Sequence, residues 1–236
     1  MTRTPIWQSI ATTLTHDIAT GRYAPGDKLP TEAALSARFD VNRHTVRHAL
    51  KTMAEDGLVR SRRGAGVFVA MAPTDYPIGR RVRFHQNLLA AGRSPAKEIL
   101  ALETRAANPR EAEALALDQT AQVHVYEGLS LADNQPIALF RSVFPADRFP
   151  NLPQDLDETR SVTAALTRQG VADYTRASTR LTAKSATAIQ ALHLRIAENA
   201  PILRTVGINI DQDGTPVEYG HTWFAGDRIT LTVSEP

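Results

Sequence analysis

The chain of 236 residues is long enough for one large domain or two small ones, and its hydrophobic content of 42% is typical of a folded protein with a buried core. It has no cysteine, which excludes disulfides and thiolate metal sites, and no segment apolar enough for a signal peptide or a bilayer span, so we expect a cytoplasmic protein. The net charge of +2 is uneven, because residues 1–81 hold 12 Lys and Arg against 7 Asp and Glu, whereas residues 82–236 hold 15 against 18. The basic front half predicts a polyanionic partner.

Three helical patterns follow one another in the front half. Apolar residues recur every four positions from Ile6 to Ile18, which predicts an amphipathic helix that ends at Gly21. After a Pro/Gly-rich connector, Thr31 is expected to cap a short second helix, and Asn42 a third helix that begins after a very short turn. Two helices joined in this way are typical of a helix-turn-helix.

The third helix separates apolar residues from basic ones. Val46, Ala49, Leu50 and Met53 face one side, and the basic residues cover the other side. A solvated helix surface is the alternative interpretation, but no acidic residue interrupts positions 41–54, and the basic face begins at the helix N-terminus, where recognition helices meet bases. The members of this predicted DNA-binding face are Arg43, His44, Arg47, His48 and Lys51.

A strand, a tight turn and a second strand are predicted after Gly57, with Arg62 and Arg63 at the tip of the turn. This hairpin completes a winged helix-turn-helix. The guanidinium of Arg43 or of Arg47 is suited to a bidentate pair with guanine O6 and N7, and phosphates would relieve the repulsion along the basic face.

The back half contains an internal repeat at an offset of 80 residues. Each copy is predicted to be a helix followed by a hairpin, and two copies could build one antiparallel sheet with helices to one side, an α+β domain. Chance is the alternative, since hairpin turns reuse Asp, Gly and Pro. The matching positions are Asp133, Pro136, Phe144, Asp147 and Arg148 in the first copy and Asp213, Pro216, Phe224, Asp227 and Arg228 in the second.

Motifs of catalysis are missing from the sequence. It contains no HExxH, no GxSxG and no His pair at metal-ligand spacing, so we expect neither an enzyme nor a bound metal or cofactor.

The segment "PGDKLPTEAALSARFDVNRHTVRHALKTMAEDGLVRSRRGAGVFVA" closely resembles the DNA-binding domain of the GntR family of bacterial transcription regulators. The resemblance implies base and phosphate contacts at Asn42, Arg43, His44, Thr45 and Arg47 and at the wing glycines. Ala33 stands where the family often has arginine. With the cap and the basic residues above, the predicted DNA-binding set is Thr31, Asn42, Arg43, His44, Thr45, Arg47, Lys51, Arg62, Arg63, Gly64 and Gly66.

The segments "YPIGRRVRFHQNLLAAGRSP", "ADNQPIALFRSVFPADRFP" and "DGTPVEYGHTWFAGDR" resemble the effector-binding (UTRA-like) domain of the HutC branch of that family, above all in its regulators of phosphonate metabolism. The resemblance implies an antiparallel-sheet domain with the chorismate lyase fold, a homodimer and a small anionic effector. We place the DNA-binding domain at residues 1–71, a linker marked by Pro73 and Pro77 at 72–82, and the effector domain at 83–236.

The predicted effector site combines this resemblance with local chemistry. Phe84 and His85 begin a helix, whose free N–H groups suit an anion, and Ser161 is expected to cap another helix at the same site. Glu218 could accept from an amine or a hydroxyl of the ligand. Arg141 and Arg176 could each supply a charged donor to the ligand. In the alternative interpretation these two arginines lie at the surface and Glu218 pairs with one of them. The predicted effector residues are Phe84, His85, Arg141, Ser161, Arg176, Glu218 and His221.

Gly128 and Ser130 stand where relatives that bind sugar phosphates place arginines, which argues against a sugar phosphate. One anion site together with one carboxylate favours a small polar zwitterion or hydroxylated anion, such as an aminoalkylphosphonate. The sequence therefore predicts a sequence-specific regulator, a repressor, that binds a near-palindromic double-stranded operator as a homodimer. The alternatives are a lyase-like enzyme joined to a DNA-binding module and a DNA-binding protein that senses no ligand.

Overall fold

The computed structural model describes residues 5–62, 64–70, 73–81 and 84–233, except for the side chains of Arg62 and His85. The chain divides into two compact units, Met1–Ala72 and Pro73–Pro236. No helix in the described ranges is long and apolar enough to cross a membrane.

The first unit is the winged helix-turn-helix that the sequence predicts. Three helices enclose a core that includes Leu14, Leu35 and Val46, each fully buried, and the two strands pair as an antiparallel hairpin. Its elements are α1 (Ile6–Ala19), α2 (Glu32–Phe39), α3 (Arg43–Glu55), β1 (Val59–Arg62) and β2 (Gly66–Val69).

The two predicted caps are confirmed. The Thr31 hydroxyl accepts a hydrogen bond from the Ala34 backbone N–H at 3.2 Å, and the Asn42 side chain accepts from the Thr45 N–H at 2.9 Å. Asp40, at the end of α2, has a φ of 52°, a left-handed conformation that Asp tolerates better than most residues. The caps and this turn hold α3 at a fixed angle to α2.

The second unit is built on a six-stranded antiparallel sheet in the order β4-β5-β6-β9-β8-β7. Its strands are β3 (Thr74–Pro77), β4 (Pro95–Ala106), β5 (Gln122–Ala132), β6 (Gln135–Pro145), β7 (Tyr174–Ser185), β8 (Pro201–Asp211), β9 (Pro216–Ala225) and β10 (Ile229–Thr232). Its helices are α4 (Phe84–Ala90), α5 (Pro109–Leu115), α6 (Leu152–Thr159), α7 (Val162–Arg168) and α8 (Ala188–Leu194). The predicted α+β class is confirmed.

The internal repeat corresponds to a repeated structure. Each copy consists of a strand, a short helix and a hairpin: β4-α5-β5-β6 in the first and β7-α8-β8-β9 in the second. The copies meet where β6 pairs antiparallel with β9, and Arg141 lies opposite His221, which is also its equivalent at the offset of 80 residues. A local two-fold axis therefore passes through this pair.

Helices cover both faces of the sheet, whereas the sequence placed them on one side. We call the face that carries Ser142, Thr205 and Glu218 the front face, and the face that carries Arg141 and His221 the back face. The repeated helices α5 and α8 pack on the back face, as predicted for the two copies. The connection between the copies forms α6 and α7, which pack on the front face in one core cluster with strands β5 and β6.

The predicted linker contains a strand of the second unit. β3 pairs in parallel with β10, with Thr74 opposite Ile229 and Tyr76 opposite Leu231. Tyr76 is buried in a cluster with Phe224, so residues 74–77 belong to the fold of the second unit rather than to a free connector. Pro73, which suggested a linker, precedes this strand and Pro77 ends it; sequence reasoning missed the strand.

Candidate functional site

The basic face of α3 is exposed at its N-terminal end. Arg43 and His44 are both exposed, and Arg43 has no hydrogen-bond or ion-pair partner among the described residues. The opposite side of α3 is buried at Val46, Ala49 and Leu50, as the spacing predicts. The buried side orients the basic residues outward, where groove-reading groups are required.

Arg47 is held by an acid of the preceding helix. Its Nε donates to Glu32 Oε1 at 3.0 Å and one terminal nitrogen donates to Oε2 at 2.6 Å, a bidentate pair. The hydrogen bond from Arg47 lowers the pKa of Glu32, and the same contact raises the pKa of Arg47. Sequence reasoning missed this pair, because Glu32 lies on α2, fifteen positions before its partner.

Two other members of the basic face also have partners. The His48 ring stacks on Trp7 of α1, with ring centres 4.5 Å apart and planes at 6°. Lys51 Nζ lies 3.7 Å from a carboxylate oxygen of Glu55, one helical turn later. The availability of the basic groups for DNA therefore falls along the helix: Arg43 at its start has no partner among the described residues, whereas Arg47, His48 and Lys51 each have one.

The wing turn requires glycine at both predicted positions. Gly64 and Gly66 have φ values of 75° and 115°, which other residues rarely adopt. A Cβ on Gly66 would lie 2.8 Å from Cε of Lys28, a flexible side chain that can move, so the backbone conformation is what requires glycine there. Arg63 and the side chain of Arg62 lie outside the described residues, and their role in DNA binding stays a prediction.

The second unit contains a cavity of about 460 Å³ on the front face of the sheet. The strands form its floor, and β3, α4 and the first turn of α7 form its walls. Four predicted effector residues line it, namely Phe84, Ser161, Arg176 and Glu218. The side chain of His85 lies outside the described residues. Ser161 caps α7 as predicted, since its hydroxyl accepts from the Ala164 N–H at 3.3 Å.

Glu218 is a buried acid at the floor of the cavity, with 7% of its surface exposed. The Ser142 hydroxyl donates to its Oε1 at 2.5 Å, and the Asn209 amide donates to its Oε2 at 2.6 Å. Each oxygen keeps further acceptor capacity. The carboxylate is thus fixed in position and still able to accept from a ligand.

Arg176 lies in register with that acid. Arg176 is opposite Asn209 across β7 and β8, and Asn209 is opposite Glu218 across β8 and β9. Burial lowers the pKa of the Arg176 guanidinium, and the negative charge of Glu218 partly opposes this. One terminal nitrogen donates to the Gly79 carbonyl at 3.4 Å.

Lys97, on β4, is the cavity residue that sequence reasoning missed. Its side chain is partly buried and borders the cavity. Its ammonium nitrogen lies 4.9 Å from the ring centre of Phe140, 5.7 Å from that of Phe84 and 5.8 Å from that of Tyr126. Burial lowers the pKa of Lys97 from 10.5 to about 8, against the opposing effect of Glu218.

The structure also explains the residues at positions 128 and 130. A Cβ at Gly128 would lie 2.4 Å from the Glu98 carbonyl oxygen and 2.8 Å from a ring carbon of Phe140, so no arginine fits there. Ser130 lines the cavity and lies opposite Lys97 in the β4–β5 pairing. Lys97 thus supplies a cation beside the position that lacks arginine.

Two predicted effector residues lie elsewhere. Arg141 and His221 are on the back face, because neighbouring residues of a strand point to opposite faces and Ser142 and Glu218 point to the cavity. Arg141 Nε donates to Glu127, and the terminal nitrogen of Arg204 donates to His221 Nδ1 at 3.3 Å. Burial, together with Arg204 and Arg141, lowers the pKa of His221 to about 4. The structure therefore removes both from the ligand site.

Comparison with known families accounts for both units. Residues 7–69 match the gntR family of bacterial regulatory proteins, and residues 90–230 match the UTRA domain. The chain belongs to the GntR family of transcriptional regulators. Its two domains are those of the HutC branch, as the sequence predicts.

Similar proteins extend over nearly the whole chain. An HTH-type transcriptional regulator of Rhizobium meliloti is 36% identical over 97% of this chain and 94% of its own length. The transcriptional regulator PhnF of Escherichia coli is 34% identical over 96% and 94%. The crystal structure of PhnF from Mycobacterium smegmatis superposes with a TM-score of 0.69 at 27% identity, covering 96% of this chain and 99% of that one. This GntR-family protein is thus a DNA-binding transcriptional regulator with an effector-binding domain.

Proposed function

We propose that this regulator is a repressor that binds a near-palindromic operator as a homodimer, and that a small anionic ligand in the front-face cavity changes its affinity for DNA. The observation that carries the proposal is the charged cavity of the UTRA unit, where Lys97, Arg176 and Glu218 face enclosed space. Buried charges are costly unless a partner compensates them, and a ligand is the partner that such a cavity can admit.

The DNA-binding part of the proposal rests on the first turns of α3. Arg43 is exposed and unpaired among the described residues, and its fork of donors suits guanine O6 and N7 in the major groove. Asn42, His44 and Thr45 lie beside it at the same helix end. The glycines of the wing allow close approach of the backbone to phosphates.

The homodimer follows from the small size of one recognition unit. A single helix reads only a few base pairs, and two half-sites are needed for specificity against a genome. The second unit has exposed apolar side chains for an interface, since Ile189 and Leu192 of α8 are 69% and 76% exposed and Leu181 of β7 is 51% exposed.

The nature of the ligand follows from the charges of the cavity and from the resemblance to regulators of phosphonate metabolism. Cations on β4 and β7 favour an anion, and the fixed carboxylate of Glu218 favours an amine or hydroxyl. An aminoalkylphosphonate meets both requirements.

The test combines two measurements on the full chain. Thermal shift with 2-aminoethylphosphonate, inorganic phosphate, glucosamine 6-phosphate and glucose identifies binders, and fluorescence anisotropy with a promoter fragment measures their effect on DNA affinity. We expect phosphonates to raise the melting temperature and to change DNA affinity at least about tenfold, which is within the usual range of allosteric coupling. Stabilisation by glucose alone, or unchanged DNA affinity with a saturating phosphonate, would contradict the proposal.

An enzyme of the lyase type remains the competing function, and the same samples test it. Proton and phosphorus NMR of the bound phosphonate over a day should show no product. A new resonance that requires the protein, and that disappears in Glu218→Gln, would favour the enzyme instead.

A further inference from the structure

The charges that line the cavity form a pattern that is only partly neutralised. Arg81 and Asp173 pair with each other at 2.7 Å, which cancels their charges. The remaining charged side chains among the described lining residues are Lys97, Arg176 and Glu218. They leave a net charge of +1, with two cations and one anion that are held apart.

The acid lies between the two cations, because its strand β9 stands between β4, which carries Lys97, and β7, which carries Arg176. Glu218 shifts the pKa of both Lys97 and Arg176 upward, and neither cation is among the charges that shift the pKa of the other. Arg176 is two strands away from Glu218 across β8, and the strands are about 4.8 Å apart. Lys97 extends from β4, at the opposite edge of the sheet from β7, and its ammonium lies near the Phe140 ring of β6.

The acid forms a salt bridge with neither cation. Ser142 and Asn209 hold its two oxygens, so Glu218 cannot swing toward one side without losing a buried hydrogen bond. Lys97 contacts three aromatic rings and donates no hydrogen bond to the described residues. Each of the three groups therefore keeps hydrogen-bonding capacity for a molecule in the cavity.

We propose that the ligand carries two acidic groups flanking an amine, with one acid at Lys97, the amine at Glu218 and the other acid at Arg176. Such a molecule is an amino acid-like zwitterion with a net charge of about −1 for a dicarboxylate and about −1.5 to −2 when one acid is a phosphonate, opposite in sign to the +1 of the described lining. Its acids are carboxylates or phosphonates, and the hydroxyls of Ser130, Thr205 and Thr222 line the space around them. This inference rests on the proposed anionic effector and specifies its class.

The arrangement predicts that removal of any one charged group from the ligand weakens binding through one particular side chain. Isothermal calorimetry on the full chain at pH 7 would compare 2-amino-3-phosphonopropionate with 3-phosphonopropionate, which lacks the amine, and with 2-aminoethylphosphonate, which lacks the second acid. Aspartate shows whether two carboxylates suffice. We expect the complete ligand, phosphonate or dicarboxylate, to bind at least about tenfold more tightly than either truncated one, since each lost contact leaves a buried charge unpaired.

Variants locate each contact. Glu218→Gln should weaken the complete ligand about tenfold and leave the amine-free one unchanged or tighter, because the repelling carboxylate is gone. Lys97→Met and Arg176→Met should each weaken the complete ligand, and only one of them should weaken 2-aminoethylphosphonate. Lys184→Met, an exposed lysine on β7, is the matched control and should bind every ligand as the wild type does.

The outcomes separate this inference from the proposed function. Equal affinity of the wild type for the complete and amine-free ligands would overturn the three-group pattern while leaving an anionic effector in place, and this comparison needs no variant to fold. If Glu218→Gln lowered the affinity for all ligands equally, the three-group pattern would also be overturned. Failure of both complete ligands to bind would overturn the inference, and binding of neutral sugars alone would overturn the anionic effector as well.

Discussion

The α3 surface and the front-face cavity both use cations to attract an anion, but they place them in opposite environments. Arg43 is exposed to solvent, whereas Lys97 is partly buried, with its ammonium beside three aromatic rings. An exposed cation keeps its hydration until DNA arrives, and the binding free energy comes largely from released counterions. A partly buried cation has lost part of its hydration when the chain folds, so an acidic ligand offsets a free-energy cost that folding left uncompensated.

This difference assigns the two sites different roles. The exposed surface can approach many DNA sequences and sort them by a few base contacts. The cavity discriminates strongly between ligands, since a molecule that fails to match a buried charge leaves it unpaired. The five predictions below test this contrast, from the largest expected effect to the smallest.

The largest difference between the two sites should be the salt dependence of their binding affinities. Raising NaCl from 50 to 200 mM should lower operator affinity by about three to five orders of magnitude if roughly six to ten phosphates are neutralised. Ligand affinity should change by less than about threefold, because buried charges are screened much less. Anisotropy and calorimetry in the same buffers give the two slopes, and parallel slopes would mean that the cavity charges are as solvated as those of α3.

Removal of Arg43 should produce the next largest effect. Arg43→Ala should cost about 1–3 kcal/mol of operator affinity if the guanidinium reads a base edge. Ligand affinity should not change, since the variant leaves the second unit intact. The control is Arg110→Ala, an exposed arginine of α5. Equal losses on operator and random DNA would reassign Arg43 to a phosphate.

The pH dependence of the cavity should be moderate and of defined sign. Lys97 has a pKa of about 8 in the folded chain and 10.5 unperturbed, so it loses its positive charge as the pH rises through about 8. Affinity for an acidic ligand should therefore fall severalfold between pH 7 and pH 9, whereas the arginines of α3 stay charged.

The same shift affects stability in the opposite direction. Between pH 8 and 10.5 the unfolded chain binds a proton at Lys97 that the folded chain has lost, so the free energy of unfolding rises with pH. Denaturant unfolding of the ligand-free wild type and of Lys97→Met should show this rise in the wild type alone. Identical pH profiles would indicate that Lys97 is solvated.

Release of Arg47 should have the smallest effect. In Glu32→Gln the bidentate partner loses its charge, and Arg47 becomes available to phosphates. We expect Arg47 to gain a phosphate contact, which should raise the affinity for random DNA and increase its salt dependence. The gain should be only a few-fold, because the surface ion pair that is lost contributes little free energy. The double variant Glu32→Gln with Arg47→Ala should lose the gain. An unchanged affinity would show that Glu32 does not compete with DNA.

Most of the DNA-binding unit could be predicted from the sequence, because its information is local. Apolar and basic residues occupy opposite faces of the one helix α3, and the caps at Thr31 and Asn42 bind N–H groups three residues later. The Arg47–Glu32 pair escaped this reasoning, since it depends on how α2 packs against α3.

The cavity could be predicted only in part, because its residues converge from distant elements. Lys97 resembles a surface lysine in the sequence, and its burial depends on rings from α4, β5 and β6. Arg141 and His221 were assigned to the wrong face, because β6 and β9 are covered on both faces and their residues show no clean alternation. The resemblance identified Arg176 and Glu218, but not the partners that fix them.

The pairing of β3 with β10 affects the order in which the two units can fold during synthesis. The winged unit ends by residue 72, so it can fold while the rest is still being synthesised. Tyr76, in the wall of the cavity, lies on β3, whose partner strand Ile229–Thr232 is synthesised more than 150 residues later. A nascent chain can therefore complete its DNA-binding unit well before β10 is available to complete this wall of the cavity.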